Sequence, residues 1–291
     1  MDARQRWTLI LTSVASLMVG LDLTVVTTAL NTIRLDLGAS LPELDWTINA
    51  YTLTIGVLLL TAAAVGDRLG RRRVLAAGLA VFTASSAACA LAPSIGVLIA
   101  ARAAQGAGTA MVLPQALALL AAAFPPETRG RAMGLFAGIT GLAILGGPVV
   151  GGMVVQGLAW QWIFWLNVPI GLALIPLIGR HMAEAHGPRT PFDVGGLVLS
   201  GAGLLGLVWG LVRGNAVGWG SPQVYGPLAV GTALIVAFAA WERRARSPML
   251  PMSFFRNVRA LRLRQRRGLH DDRGDDERGG VLRAVPAGLA G

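Results

Sequence analysis

Eight apolar runs, each long enough to cross a lipid bilayer as a helix, recur along the chain and leave few folds open to it. A helix rises about 1.5 Å per residue, so roughly 20 apolar residues cross a hydrocarbon core about 30 Å thick. The runs cover 7–30, 46–65, 74–92, 95–124, 132–158, 162–179, 194–212 and 224–241. The first is too long, and too closely followed by a second, to be a cleaved signal peptide. Several runs are rich in Gly and bounded by Trp or Tyr, as packed spans with interfacial aromatics are. Only 14% of the residues are charged, against roughly 25% in soluble domains. The expected fold is an all-α integral membrane protein.

Composition also removes several functions. All 25 basic residues are Arg; without Lys there is no Walker A loop, so ATP-driven pumping by this chain alone is disfavoured. Cys89, the sole cysteine, sits in an apolar run and supports neither a disulfide nor a thiolate metal site. The net charge of +10 raises the question of nucleic acid, but the Arg residues occupy short segments between apolar runs. Membrane headgroups are their expected partners, and no nucleic acid is.

Those Arg residues set an orientation. With the N-terminus inside, the cytoplasmic segments carry Arg4, Arg6, Arg68, Arg71, Arg72, Arg73, Arg129, Arg131, Arg180, Arg189, Arg243, Arg244 and Arg246, and the opposite side only Arg34 and Arg213. Positive segments stay inside, so a multi-pass plasma-membrane protein with a cytoplasmic N-terminus is expected. "VGDRLGRRRVL", Val65 to Leu75, then forms a tight cytoplasmic turn between spans 2 and 3. Anchoring to anionic headgroups accounts for its four Arg. It does not account for Asp67, Gly66 or Gly70.

"GDRLGRRRVL" resembles the signature loop between helices 2 and 3 of the major facilitator superfamily. "IAARAAQGAGTA", 99–110, resembles its helix 4 motif, built on an intramembrane Arg followed by Gln and Gly. "GITGLAILGGPVVGG", 138–152, is similar to the helix 5 motif of antiporters. "LDLTVVTTAL", 21–30, and "WQWIFWLNVPIG", 160–171, resemble helix 1 and the entry to helix 6 of the drug:proton antiporters with fourteen helices. The helix 1 motif departs at Asn31, where Pro is usual, and at Thr28, where Asn is common. The resemblance runs over about residues 7–255. It implies a six-helix bundle over 1–180, then a cytoplasmic linker and spans 7 and 8 over 181–246, energised by a proton gradient without a cofactor.

Two charges lie inside spans, Asp22 and Arg102. Such residues cost a few kcal/mol or more and are functional candidates by default. Asp22 lies ~22 Å along span 1 from Trp7, and Arg102 ~10 Å into span 4 from Ile95 at the opposite face. Their depths match, so a pair or a shared proton and cation site is geometrically open. The resemblance implies that Asp22 takes protons and helps read cationic drug charge while Arg102 tunes its hold on them; mutual neutralisation that fixes packing is the alternative. Gln105 is placed to hydrogen-bond Arg102 or substrate, or to serve as interhelical glue. Gly66, Asp67, Arg68, Gly70, Arg71 and Arg72 are expected as a gating loop, with Asp67 accepting backbone N–H groups or pairing with Arg71. In the superfamily that Asp also latches onto the second half. In span 5, Gly147, Pro148, Gly151 and Gly152, with Gly134 and Gly138, suggest a tightly packed, bent helix that seals the cavity against proton leak, or plain packing.

Other patterns carry less. "GAGLLG", 201–206, fits a dinucleotide fingerprint but lies inside a span rather than after a strand. His181 and His186 flank Glu184 in a loop with too few ligands for a metal. No Ser/His/Asp set shares an aqueous pocket, so no enzyme is expected. Spans 7 and 8 hold no ionisable residue in their cores and are expected to pack peripherally.

After "SPMLPMSFFRNVRA" the family would begin its next span, but the sequence turns Arg, Asp and Gly-rich and cannot cross a bilayer. The expectation is a non-membrane tail over 247–291, a second bundle missing, and a polypeptide truncated at its C-terminal end or frameshifted from about Val258. Two functions compete. One is a proton-coupled exporter of small lipophilic or cationic drugs, active only when a second half comes from a partner copy or an intact frame; the other is a non-transporting membrane fragment or assembly partner. The small-residue spacing permits association with another copy without requiring it. Translating the downstream DNA in the other two frames is expected to uncover further apolar spans, and their absence there would end the frameshift idea.

Overall fold

The computed structural model describes residues 1–187 and 193–244. Arg189, Arg246 and the 247–291 tail, with its frameshift reading, lie outside the described residues. Within the described residues nine helices form: α1 (Ala3–Leu37), α2 (Leu41–Leu69), α3 (Arg71–Ala90), α4 (Ile95–Ala123), α5 (Pro126–Gly157), α6 (Trp162–Trp165), α7 (Asn167–His181), α8 (Val194–Val217) and α9 (Pro222–Arg244). With α6 and α7 joined as Trp162–His181, eight stretches are long and apolar enough to cross a membrane. The described residues contain no strand. The all-α membrane fold read from the apolar runs is the fold observed.

The helices outrun the apolar runs because their polar ends are capped. Asp2 and Gln5 close a reciprocal box at the start of α1, Gln5 N donating to Asp2 Oδ1 at 2.7 Å and Asp2 N to Gln5 Oε1 at 3.1 Å. At its far end Gly38 turns left-handed, φ 64°. Glu43 does the same work for α2, accepting from Ser40 N at 2.8 Å and Ser40 Oγ at 2.7 Å. The sixth span departs from the single helix expected over 162–179: its hydrogen-bond ladder breaks at Leu166, although that residue keeps helical angles. Pro169 has no N–H to offer Trp165 O, and Phe164 O is taken by the Ser86 hydroxyl at 3.2 Å.

Helices α1, α3 and α4 form the interior, each with half or more of its apolar window buried, whereas the windows of α2 and α5 are only 17% buried. Helix α4 is clamped between α2 and α3 because glycines remove side chains at both contacts. A Cβ on Gly106 would strike the carbonyl of Tyr51, and one on Gly108 would come within 2.6 Å of Phe82 N and 2.8 Å of Gly78 O. Helix α8 lies against α2, with Gly201 close to Val57 and Trp46 5.4 Å from Trp209, and carries α9 on its other side. The fingerprint-like glycines belong to that second contact: Gly203 and Gly206 meet the backbone of Gly231.

Span alternation puts the Arg-rich segments at one end. There Gln5 reaches Ala123 O at 3.3 Å and Trp7 stacks on His181 at 4.3 Å. At the other end Trp160 donates to Asp36 at 2.8 Å.

Helix α5 is tight along one seam only. Gly147 and Gly151 receive the Thr24 and Thr28 side chains of α1, and Thr24 Oγ1 donates to Ala143 O at 3.2 Å. The broader expectation for this helix is corrected: Cβ atoms at Gly134, Gly138 and Gly152 would meet nothing within 4 Å among the described residues. These three positions lie off the α1 seam, which a four-residue spacing alone does not reveal. Gly147→Ala should therefore lower thermal stability by about 1–3 kcal/mol through overpacking, with partial recovery when Thr24→Ala is added. Gly138→Ala, the same chemical change, should be neutral. Equal melting shifts for the two alanines in detergent would contradict this packing.

Candidate functional site

Asp22 and Arg102 meet inside the bundle. Arg102 Nη1 donates to Asp22 Oδ2 at 2.5 Å, with the two residues 3% and 0% exposed, the carboxylate first. Gln105, one turn along α4, joins both: its Oε1 accepts from Arg102 Nη1 at 2.7 Å and its Nε2 donates to Asp22 Oδ1 at 2.9 Å. Asn167 of α7 adds a third donor to the carboxylate, Nδ2 to Oδ1 at 3.0 Å. Behind these, Ser86 Oγ of α3 accepts from Gln105 at 3.1 Å and Asn167 at 3.0 Å and donates to Phe164 O.

Arg102 is held further by α2. Its Nε donates to Thr47 O at 3.2 Å, and its guanidinium carbon lies 4.1 Å from the centre of the Tyr51 ring. Nη2 has no hydrogen-bond acceptor among the described residues; the Tyr51 π face stands in for one. Tyr51 is fixed in turn by Val19 O at 3.2 Å and Thr109 Oγ1 at 2.9 Å. Cys89 lies beside the network, its Sγ 3.7 Å from Gln105 Oε1. Five spans thus contribute to one buried polar cluster. The Asp22 carboxylate is enclosed by it and is not on an exposed face, so it is not presented to a ligand in this conformation. No three His, Cys, Asp or Glu side chains converge as a metal site among the described residues.

The turn between α2 and α3 is a separate assembly. Asp67 lies in the last turn of α2 and pairs with Arg71, Nε to Oδ1 at 2.8 Å. Gly70 makes the turn at φ 107°, where a Cβ would also come within 2.6 Å of the Glu184 carboxylate. The opening amides of α3 are capped from far along the sequence, Arg71 N by Ala185 O at 2.9 Å and Arg72 N by Glu184 Oε1 at 2.8 Å. Gly187 N donates to Asp67 O at 3.1 Å, and Arg72 Nη1 reaches Gly179 O and Met182 O. Gly66 lies under the Gln115 side chain, which donates to Ala62 O at 2.8 Å. The segment after α7 is thereby stitched across the turn.

The Major Facilitator Superfamily family model matches residues 12–257. The chain belongs to the Major Facilitator Superfamily. It is 38% identical over 253 residues to the tetracenomycin C resistance and export protein of Streptomyces glaucescens, covering 86% of this chain and 47% of that one. Against the multidrug resistance protein Stp of Mycobacterium tuberculosis it is 37% identical, covering 89% and 48%, and against the puromycin resistance protein of Streptomyces alboniger 38% identical, covering 86% and 50%. The chain spans about half the length of these relatives. A crystal structure of a peptide transporter POT in complex with sulfate superposes with a TM-score of 0.60 at 16% identity over 82% of this chain and 52% of that one, a likeness of fold.

Within this superfamily member the structure brings Asp22, Arg102 and Gln105 together, and Asp67 with Arg71. The sequence assigns three participants no role at these sites, although Asn167 lies inside the 160–171 motif. Asn167 and Ser86 are uncharged, and polar residues in spans are common as interhelical glue. Glu184 suggests only a metal ligand beside its two histidines; 112 positions separate it from the amide it caps. Removing Asp22 alone, as Asp22→Leu, leaves Arg102 buried and unpaired and should cost about 3–5 kcal/mol. Adding Arg102→Met should recover part of that loss, with Gln105 and Asn167 amides still lacking their acceptor. Strictly additive losses in a thermal double-mutant cycle would show the two charges to be uncoupled.

Proposed function

We propose that this chain supplies the proton-handling bundle of a proton-coupled drug exporter of the fourteen-helix group, set in a bacterial inner membrane with its N-terminus inside. The observation that carries the reading is the ion pair of Asp22 and Arg102, buried within membrane-length helices and joined by Gln105. Intramembrane ionisable pairs that can exchange a proton mark coupling sites in secondary transporters. Asp22 is the proton acceptor, Arg102 its counter-ion, and Gln105 holds the two in register. The resistance and export proteins to which the chain is similar support a small lipophilic or cationic substrate. Eight spans in the described residues, two more than one bundle needs, support the fourteen-helix group. The Arg asymmetry supports the orientation.

Substrate sites in such transporters lie between two bundles, so transport here requires a second bundle alongside this one. Among the first six spans, the sparsely buried α2 and α5 have most surface free to meet it. The turn held by Asp67, Arg71 and Glu184 is the gating element, and the Gly147 and Gly151 seam closes α1 against α5. Lipid headgroups are the partners of the Arg-rich face.

Everted vesicles containing the chain and a co-expressed second half of the Streptomyces glaucescens relative should move ethidium against a gradient when a pH difference is imposed. The chain alone should not. Asp22→Asn should abolish the gradient-driven movement; full movement in that variant would remove Asp22 from the mechanism. Movement by the chain alone would remove the need for a second bundle, and none with the co-expressed half would favour a non-transporting membrane component.

A further inference from the structure

The hydrogen bonds around Asp22 count one way. Both N–H groups of Gln105 and both of Asn167 go to the same pair of acceptors, Asp22 Oδ1 and Ser86 Oγ. Arg102 supplies a third donor to the carboxylate. Ser86 accepts two amides, so its own proton goes to Phe164 O. Asp22 therefore meets donors only, and a proton arriving on it needs an acceptor that the site does not yet present. A buried O–H left without one is destabilised.

Gln105 is not free to provide it. Turning its carboxamide over would set its NH2 against Arg102 Nη1, which now donates to Gln105 Oε1 at 2.7 Å. Asn167 has no such constraint, since its Oδ1 accepts nothing from the described residues while both its N–H groups are engaged. Rotation of its carboxamide by half a turn brings that idle oxygen to Asp22 and Ser86. The other titratable or charged groups facing the site are Arg102 from α4, Tyr51 from α2 and Cys89 from α3. From α6 and α7 the site is faced by Phe164 and Asn167, neither of which titrates.

Resting on the reading of Asp22 as proton acceptor, we propose that Asn167 is the positioning residue that registers the proton, its carboxamide reversing from donor to acceptor when Asp22 is protonated. On reversal the Asn167 N–H groups leave Asp22 and Ser86 and take the place of the idle oxygen, which is not sealed from the surface, the residue being 6% exposed. A proton from the aqueous phase bonds to Asp22 Oδ1, and that O–H donates to Asn167 Oδ1. Ser86 turns its hydroxyl from Phe164 O to the same oxygen, and no covalent bond other than the new O–H changes. Phe164 O is thereby released where the ladder between α6 and α7 is already interrupted, so the proton on α1 is felt at the break in the sixth span.

Infrared difference spectra of the full chain, taken between alkaline and acidic buffer, test this. A carboxylic C=O band that is lost in Asp22→Asn should rise on acidification. A side-chain amide C=O change should rise with it, shift when asparagine carries a heavy-isotope carboxamide carbon, and vanish in Asn167→Leu. In Asn167→Leu the Asp22 acid band should move to higher wavenumber, having lost its acceptor; a residue that merely packs would leave that band in place. The isotope experiment uses the unsubstituted protein, so the absence of an isotope-sensitive amide change answers even if the leucine variant does not fold. Loss of that change in Asn167→Leu assigns the band among the chain's asparagines. An Asp22 band with no isotope-sensitive amide change overturns the role of Asn167 and leaves Asp22 as proton acceptor. Absence of any Asp22 acid band overturns both.

Discussion

A carboxylate and a guanidinium enclosed together within membrane-length helices govern much of the rest of this structure. Either ion alone in such surroundings would cost several kcal/mol, and their attraction offsets that only if the remaining lone pairs and N–H groups are also satisfied. Satisfying them takes atoms from five spans: Thr47 and Tyr51 from α2, Ser86 from α3, Gln105 from α4, Phe164 and Asn167 from the sixth span, and Asp22 itself from α1. Short polar side chains reach one another only when helix axes are close. The glycine contacts of α4 with α2 and α3, at Gly106 and Gly108, sit within two turns of Arg102 and supply that closeness.

Much of this was legible in the sequence, for physical reasons that also mark where legibility ends. Span number follows from bilayer thickness, and the eight apolar runs became eight helical stretches. Their ends did not follow from hydropathy, because boxes such as Asp2 with Gln5 extend helices through polar residues. Asp22 and Arg102 stood out because ionised groups in spans are rare, and rise per residue placed them at matching depth. Asn167 did not stand out, since one amide in an apolar run gives no sign of what it will face. Which glycines of α5 would be contacted was equally hidden, for Gly138 and Gly147 look alike until the facing helix is known.

The turn between α2 and α3 shows the same limit from the other side. Its Asp, Arg and Gly pattern announced a tight turn, and Asp67 with Arg71 forms the expected local pair four residues apart. The cap on α3 is different in kind. Gly70 has no side chain to satisfy the first amides of the helix, so a distant segment does so with Ala185 O and Glu184 Oε1. Glycine at the turn is required twice over, by its positive φ and by the carboxylate that occupies the space of a side chain. The turn and the segment beyond α7 are therefore one unit, with the Arg71 and Arg72 side chains bonded inside it.

Helix α1 connects the two tight regions of the bundle. At 3.6 residues per turn, Asp22 and Thr24 point about 200° apart, so one face of α1 enters the polar cluster while the other locks into α5. The two faces differ in how they can yield. Hydrogen bonds around Asp22 can be rearranged by rotating amides and hydroxyls at constant volume, whereas Thr24 and Thr28 seated over Gly147 and Gly151 leave no room to slide. A close-packed seam moves as a unit or repacks in a discrete step. Any shift of α1 that follows a change of charge at Asp22 must therefore carry α5 with it, and α5, like α2, has a mostly uncovered surface. A charge buried inside the bundle is in this way mechanically tied to one of its sparsely covered helices.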